Sequence, residues 1–459
     1  MRNGAQQNPW WRAAGAMGVA AALLLSGCAS QEQAASTSTS SATTSASAGS
    51  TDYQAAAVVE AKKIADGQSL SGSIEMIGVN SGVEGETLQK LYAAFTEGSG
   101  VTVKYTGSQD TNTLIASRVT AGNPPDVADI SLGTSMQYAK EGKLVDLGAA
   151  FGDELKANYE QALLDDASYD GKVFGVYQGF NNFMLWYNPA NYSGPKDPTS
   201  WQQIADWTKS QGDAGKTVWC AAQNAGAASG FPGAQFLENI FLKKYGPEKY
   251  KAWGEGTLAW TSPEVKDAWQ QFGALIGNDK YVSGGVAGIL ADPIATGYNG
   301  LTAETPTCEA ILWGSWVPGL IGETAKPGET IDFYQVPAAD PAYAKSELFQ
   351  ATASVGFTDK PTTKAFLKWL QSTPAQTYLA SLDRWPVANK NVPAETYTSA
   401  SLQKIAKVYF GTSGTQLAVG PNLLQSAATS TAFYKGIVTY LQKPDQLDTV
   451  LAAIQATVK

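Results

Sequence analysis

Residues 73–131 read SIEMIGVNSGVEGETLQKLYAAFTEGSGVTVKYTGSQDTNTLIASRVTAGNPPDVADIS. Ser73–Asn80 has the character of a strand. Leu88, Leu91, Tyr92 and Phe95 then recur at helical spacing and give one apolar face to a helix over about 84–97. Gly98-Ser99-Gly100 stops it. Val101, Val103 and Tyr105 alternate as a half-buried strand does, and a helix follows over about 112–120. Gly122-Asn123-Pro124-Pro125 breaks the chain before a short strand at Val127–Ile130, and a further helix runs over about 135–141. The order βαβαβα predicts an α/β fold with a mainly parallel sheet and helices on both faces. Ligands in such sheets sit beyond the carboxyl ends of the strands. Those ends are Asn80-Ser81-Gly82, Gly107-Ser108-Gln109-Asp110 and Ile130-Ser131-Leu132-Gly133. Each reads as a turn with an N-cap or as part of a polar rim around a site.

Ahead of this stretch, Arg2 and Arg12 precede an uncharged run, Ala13–Leu25, that meets Ser26-Gly27-Cys28. A basic head, a short apolar middle and small residues at a cut site make a secretion signal over 1–27. The run is shorter than the roughly 20 residues a membrane span needs. Leu25-Ser26-Gly27-Cys28 resembles the lipobox of bacterial lipoproteins, which implies cleavage before Cys28, its acylation, and a lipid anchor on the outer face of the cell membrane. Residues 28–52, almost all Ser, Thr, Ala, Gln and Gly, cannot bury enough apolar surface to order, and read as a tether.

The 459 residues carry a formal charge of −9 and no histidine. Removing the signal takes away two arginines and no acid, so the remainder is more acidic still. Such a surface argues against nucleic acid as a partner. The lack of histidine excludes Ser-His-Asp and Cys-His catalysis and every imidazole metal site; no metal and no cofactor are expected. With Cys28 acylated, Cys220 and Cys308 are left for an oxidising compartment and are expected to pair. The length also exceeds one usual hydrophobic core, so two lobes are expected.

Gly122–Val127, Gly142-Lys143-Leu144-Val145-Asp146-Leu147, Leu185-Trp186-Tyr187-Asn188-Pro189 and Phe366–Leu370 with Thr373-Pro374-Ala375-Gln376, in that order, resemble the carbohydrate-binding family of extracellular solute-binding proteins that serve bacterial ABC importers. Trp219-Cys220, the run Ser229–Ile240 and the position of Cys308 are most similar to its alpha-glucoside binders. After Cys308 the chain departs from that pattern, with Glu309-Ala310-Ile311-Leu312-Trp313-Gly314-Ser315-Trp316. The resemblance implies a two-lobed periplasmic-binding-protein fold, each lobe a mainly parallel sheet flanked by helices, joined by three crossings near 182–187, 335–345 and 385–392. Lobe one is then about 72–183 with 340–386, and lobe two about 184–339 with 387–459. Both cysteines fall in lobe two. Three apolar sets in lobe two are at core spacing: Trp201, Ile204, Ala205 and Trp207; Phe236, Leu237, Ile240 and Phe241; Val265, Ala268, Trp269 and Phe272. Phe433–Leu441 and Leu447–Val458 read as structural helices.

A sugar needs aromatic plates for its C–H face and fixed polar groups for its hydroxyls. Trp313 and Trp316 are the first candidates for plates. Arg384 and Trp385 offer a guanidinium beside an indole. Asn181 and Asn182 offer amides that donate and accept together. Ser81, Gln109, Asp110 and Asp129 offer the lobe-one side. The expected protein is a monomeric binding protein, not an enzyme, that closes on an oligosaccharide and delivers it to a membrane permease. Two alternatives are a surface glycoside hydrolase, which needs two carboxylates flanking a cleft, and a sensor for the same sugar.

Overall fold

A computed structural model describes residues 52–108, 111–409 and 415–458. The expected secretion signal, Cys28, nearly all of the expected tether, Gln109 and Asp110 lie outside the described residues. The strands, in chain order, are β1 (Ser73–Gly78), β2 (Thr102–Gly107), β3 (Val127–Ser131), β4 (Gly175–Val176), β5 (Asn181–Tyr187), β6 (Ala310–Gly314), β7 (Asp332–Gln335), β8 (Ser346–Gln350), β9 (Thr352–Gly356) and β10 (Gln416–Ala418); a two-stranded hairpin spans 168–173. They build two separate sheets of five. The first has the order β2-β1-β3-β9-β4, and the second β10-β8-β5-β6 with β7 also on β5.

The opening βαβαβα unit forms as its pattern predicts. Helices Gly82–Ser99, Thr111–Thr120 and Leu132–Lys140 follow β1, β2 and β3, which pair in parallel. Gly100 ends the first of these helices in the left-handed region at φ 73°, a conformation a side chain resists. The expectation of mainly parallel sheets needs correction beyond β3. β9 runs antiparallel to β3 and β4, and β5 runs antiparallel to β6, β7 and β8. The reason is directional. β1 and β3 run toward the space between the sheets, whereas β9 starts there and must run away from it. β5 likewise starts there, while β6 and β8 end there.

The chain passes between the two sheets at short segments. The first lies between Val176 and Asn181, and the second at Ala351 alone, since β8 ends at Gln350 and β9 begins at Thr352. Residues 389–391 are still bonded to the first lobe, where Asn389 donates to Gln371 O and Lys390 N to Asn158 O, so the third passage follows them.

Second-lobe helices Trp201–Asp213, Phe231–Gly254 (interrupted at Gly246) and Pro263–Ile276 bury the aromatics expected of them, and Ala427–Gln442 and Leu447–Gln455 close that lobe. Trp253, Trp260 and Trp269 surround Phe433 in an aromatic cluster with centroid distances of 4.7–5.9 Å. Cys220 and Cys308 form a disulfide with Cα atoms 5.5 Å apart. Lys243 and Glu347 pair at 2.7 Å, 1% and 0% exposed. Among the described residues no helix is long and apolar enough to cross a membrane.

Candidate functional site

The loops at the facing ends of the two sheets enclose a cleft of about 490 Å³. On the first-sheet side it is walled by Asn80, Glu84, Asn112 and Asp129, and across the passage by Gln178, Gly179 and Asn181. From the second come Ser315, Trp316, Gln350 and Tyr434, with Arg384 and Trp385 on the segment after helix Thr373–Ser381.

Backbone geometry sets the first wall. Tyr105 donates its hydroxyl to Asn80 O at 2.7 Å, and Thr111 Oγ1 donates to Gly78 O at 2.9 Å. Gly107 has to be glycine, because a Cβ there would lie 2.0 Å from Asn80 O. These contacts hold the end of β1 against the starts of the next helices, so Asn80, Glu84 and Asn112 face one space. Deeper in, Asp129 is buried. It accepts from Gln178 Nε2 at 3.1 and 2.9 Å and from the Ser354 hydroxyl. Burial outweighs these bonds and pushes its carboxyl up to about 6. Tyr92 donates to Gln178 Oε1 at 2.9 Å, which fixes that amide's orientation. Burial, reinforced by the Asp129 charge, raises the Tyr92 and Tyr105 phenols.

Two tryptophans supply the aromatic surface, and each lies on a glycine. A Cβ on Gly179 would come within 2.1 Å of Trp385 Cδ1, and one on Gly314 within 2.3 Å of Trp316 Cζ3. Both indoles are half-buried. Phe180 N donates to Pro386 O at 3.0 Å, which locks the Trp385 segment to the first passage. Arg384 is exposed. Apart from Arg118, which forms an ion pair with Glu75, it is the sole arginine among the described residues, and it has no ion pair there.

The second-lobe wall is braced from behind. Trp313 donates its indole N–H to Gln235 Oε1, and Gln235 Nε2 donates to Gln350 Oε1 at 2.7 Å. Ser315 Oγ donates to Asn181 Oδ1 at 2.9 Å, leaving that amide's N–H groups for the cleft. Tyr434 donates to Asn422 Oδ1 at 2.5 Å, and Asn422 donates through its backbone and side chain to Glu238 at 2.9 and 2.7 Å. Burial pushes Glu238 up to about 7 against these bonds.

Of the residues singled out from sequence, Asp129, Asn181, Trp316, Arg384 and Trp385 are brought together in the cleft. Ser81 caps helix Gly82–Ser99 in position but is exposed beside the rim and does not line the cleft. Two expectations are corrected. Trp313 is 2% exposed, stacked on Tyr298 at 4.7 Å, and stands behind the wall. Asn182 is fully buried because successive strand residues face opposite ways, and Asn181 takes the cleft side. Sequence reasoning marked Asn80 only as part of a strand-end rim, and missed Glu84, Asn112, Gln178, Gln350 and Tyr434. Glu84 and Asn112 adjoin strand ends already marked, and Gln178 lies three residues before Asn181. Gln350 and Tyr434 carried no such signal.

Comparison with known proteins bears on the family and the fold. Residues 80–377 match the family described as bacterial extracellular solute-binding protein. The osmoprotective compounds-binding protein GgtB of Synechocystis sp. is 27% identical over 377 residues, covering 81% of this chain and 89% of that protein. The alpha-glucosides-binding periplasmic protein AglE of Rhizobium meliloti is 26% identical over 417 residues, covering 87% and 89%. Among solved structures, the bacterial solute receptor AcbH, described as exclusive for β-D-galactopyranose, superposes with a TM-score of 0.71 at 17% identity, covering 86% of this chain and 98% of that one. A chitin oligosaccharide binding protein does so with 0.69 at 18%, covering 85% and 98%. At these identities the structural likeness carries the fold.

Proposed function

The chain belongs to the bacterial extracellular solute-binding protein family, and from that premise we propose that it is the substrate-binding lipoprotein of an ABC importer whose ligand is an alpha-glucoside oligosaccharide. One observation carries this reading. The cleft presents two half-buried indoles, on Trp316 and Trp385, within a ring of amides, carboxylates and one guanidinium. Indoles suit the C–H face of a sugar, and the ring offers both donors and acceptors for hydroxyls that would each cost about 1–3 kcal/mol if buried unpaired. Of the two sequence relatives, AglE is named for binding alpha-glucosides and GgtB for binding osmoprotective compounds, and the first supports this ligand class.

Lobe one comprises 53–178 with 352–392, helix Tyr53–Ala65 being packed against it through Ala57, Ala61 and Ile64, and lobe two 181–350 with 400–458. Ligand contacts from both lobes are made together only when the lobes close, so ligand favours the closed form by its differential affinity. The closed pair of lobes is what the permease reads. No bond of the ligand is broken. Cys28 carries the lipid that keeps the monomer at the outer face of the membrane.

A thermal-shift screen over di- and trisaccharides tests the ligand class, since bound ligand raises Tm by mass action. A rise with maltose or another alpha-glucoside supports the reading, and no rise with any saccharide at millimolar concentration overturns it. Retention of Cys28→Ser in the membrane fraction would overturn the anchor.

A further inference from the structure

Beyond Trp316 the cleft opens into a second hollow of about 360 Å³, with Glu84, Ser315, Trp316 and Arg384 common to both. Its far wall differs in character from the first. Pro318, Leu320, Leu402 and Ile405 face it. Besides Glu84, Arg384 and Ser401, its polar side chains already hold bonds within the protein. Asp383 accepts at both oxygens from Thr398 and Ser399, through four bonds of 2.6–3.1 Å. Ser399 Oγ accepts from Leu402 N, and Ser315 Oγ donates to Asn181. A fully hydroxylated ring placed there would find few partners, and buried hydroxyls left unpaired oppose binding.

We propose that this hollow is a second subsite for the less hydroxylated half of an unsymmetrical glycoside: a sugar ring held in the first compartment, and an apolar or aromatic aglycone lying past Trp316 against Leu320 and Leu402. The inference rests on the carbohydrate reading above and extends it to the ligand's far end. Arg384 and Glu84, at the neck between the compartments, are then placed to bond the glycosidic oxygen and its neighbouring hydroxyls, where the ligand changes from polar to apolar.

Titration calorimetry with methyl α-glucoside, phenyl α-glucoside and maltose tests it. Phenyl α-glucoside is expected to bind about ten-fold tighter than methyl α-glucoside, the gain from burying one side of an aromatic ring, and tighter than maltose. Leu320→Asn is expected to remove most of that ratio while methyl α-glucoside binding stays within two-fold, so a misfolded variant is recognised by its loss of both. Leu402→Ala, which removes only carbon, should narrow the ratio in the same direction. Equal binding of the methyl and phenyl glucosides, or tighter binding of maltose than of the phenyl glucoside, overturns the subsite and leaves the carbohydrate reading standing. Binding of none of the three overturns the alpha-glucoside assignment and the subsite together.

Discussion

Gln178 donates one side-chain nitrogen to both carboxylate oxygens of Asp129, at 3.1 and 2.9 Å, while Tyr92 holds the other end of the same amide. The pair joins β3 to the first passage between sheets, so the floor of the cleft and one crossing are a single hydrogen-bonded unit.

That unit titrates. The Asp129 carboxyl is pushed from 3.8 up to about 6, chiefly by burial. Between these values the folded chain holds a proton that the unfolded chain releases. The group's contribution to stability is therefore full below about pH 4 and declines as pH rises to about 6. Asp129→Asn is expected to remove this slope, so its stability relative to the parent rises by roughly 3 kcal/mol between pH 4 and pH 7. Thermal melts across that range check it, and parallel curves for the two proteins would count against it. With no histidine in the chain, imidazole cannot account for the transition.

The two tryptophans of Trp-Gly-Ser-Trp should separate cleanly. Trp313 is 2% exposed and braces Gln235, so Trp313→Ala is expected to lower stability by about 3–5 kcal/mol. Trp316→Ala is expected to cost a few degrees of Tm at most but ten-fold or more in saccharide affinity, about 1.4 kcal/mol. Melting curves and calorimetry on both variants decide it; equal effects would remove the distinction.

Gly179→Ala forces the Trp385 indole off its seat, since the new methyl would lie 2.1 Å from Cδ1. Weaker saccharide binding and a shifted tryptophan emission are expected. Gly288→Ala is the control, because its added carbon meets only Ser283 O at 3.6 Å. Identical emission and affinity in the two variants would contradict this role for Gly179.

Lys243→Met leaves Glu347 buried without its cation and is expected to cost about 3–5 kcal/mol, most of which returns in the double variant Lys243→Met/Glu347→Leu. Urea denaturation of the three proteins measures it. A double variant no more stable than the single one would show the pair to be worth more than its apolar replacement.

Replacing Cys220 and Cys308 by serine is expected to lower stability by about 2–5 kcal/mol. Saccharide affinity should be unchanged, because neither cysteine lines the cleft. A fall in affinity measured well below Tm would tie the disulfide to the site.

The first half of the first lobe was legible because its signals are local: helical spacing at Leu88, Leu91, Tyr92 and Phe95, alternation at Val103 and Tyr105, and glycine stops. The cleft was half legible for the same reason, since Asp129 sits near a strand end and Trp385 beside an arginine and a proline. What was not legible depends on which way a strand enters its sheet. β5 and β9 begin at the cleft, and no residue in them announces that. Trp313 misled because glycine and serine after it read as a loop, whereas all five residues of β6 are buried. Tyr434 shares a helix with Phe433 and Ile437 and has the spacing of a core residue; only the fold brings it to the cleft.

Between Gln350 and Thr352 there is one residue and no slack. Any swing of the two lobes in the proposed closure has to include torsion about the bonds flanking Ala351, because Gln350 pairs with Asn181 and Thr352 with Ser131 in hydrogen-bonded ladders. Such a junction would act as a fulcrum, letting the halves pivot about it but not slide, with the widest travel at the side chains farthest from it.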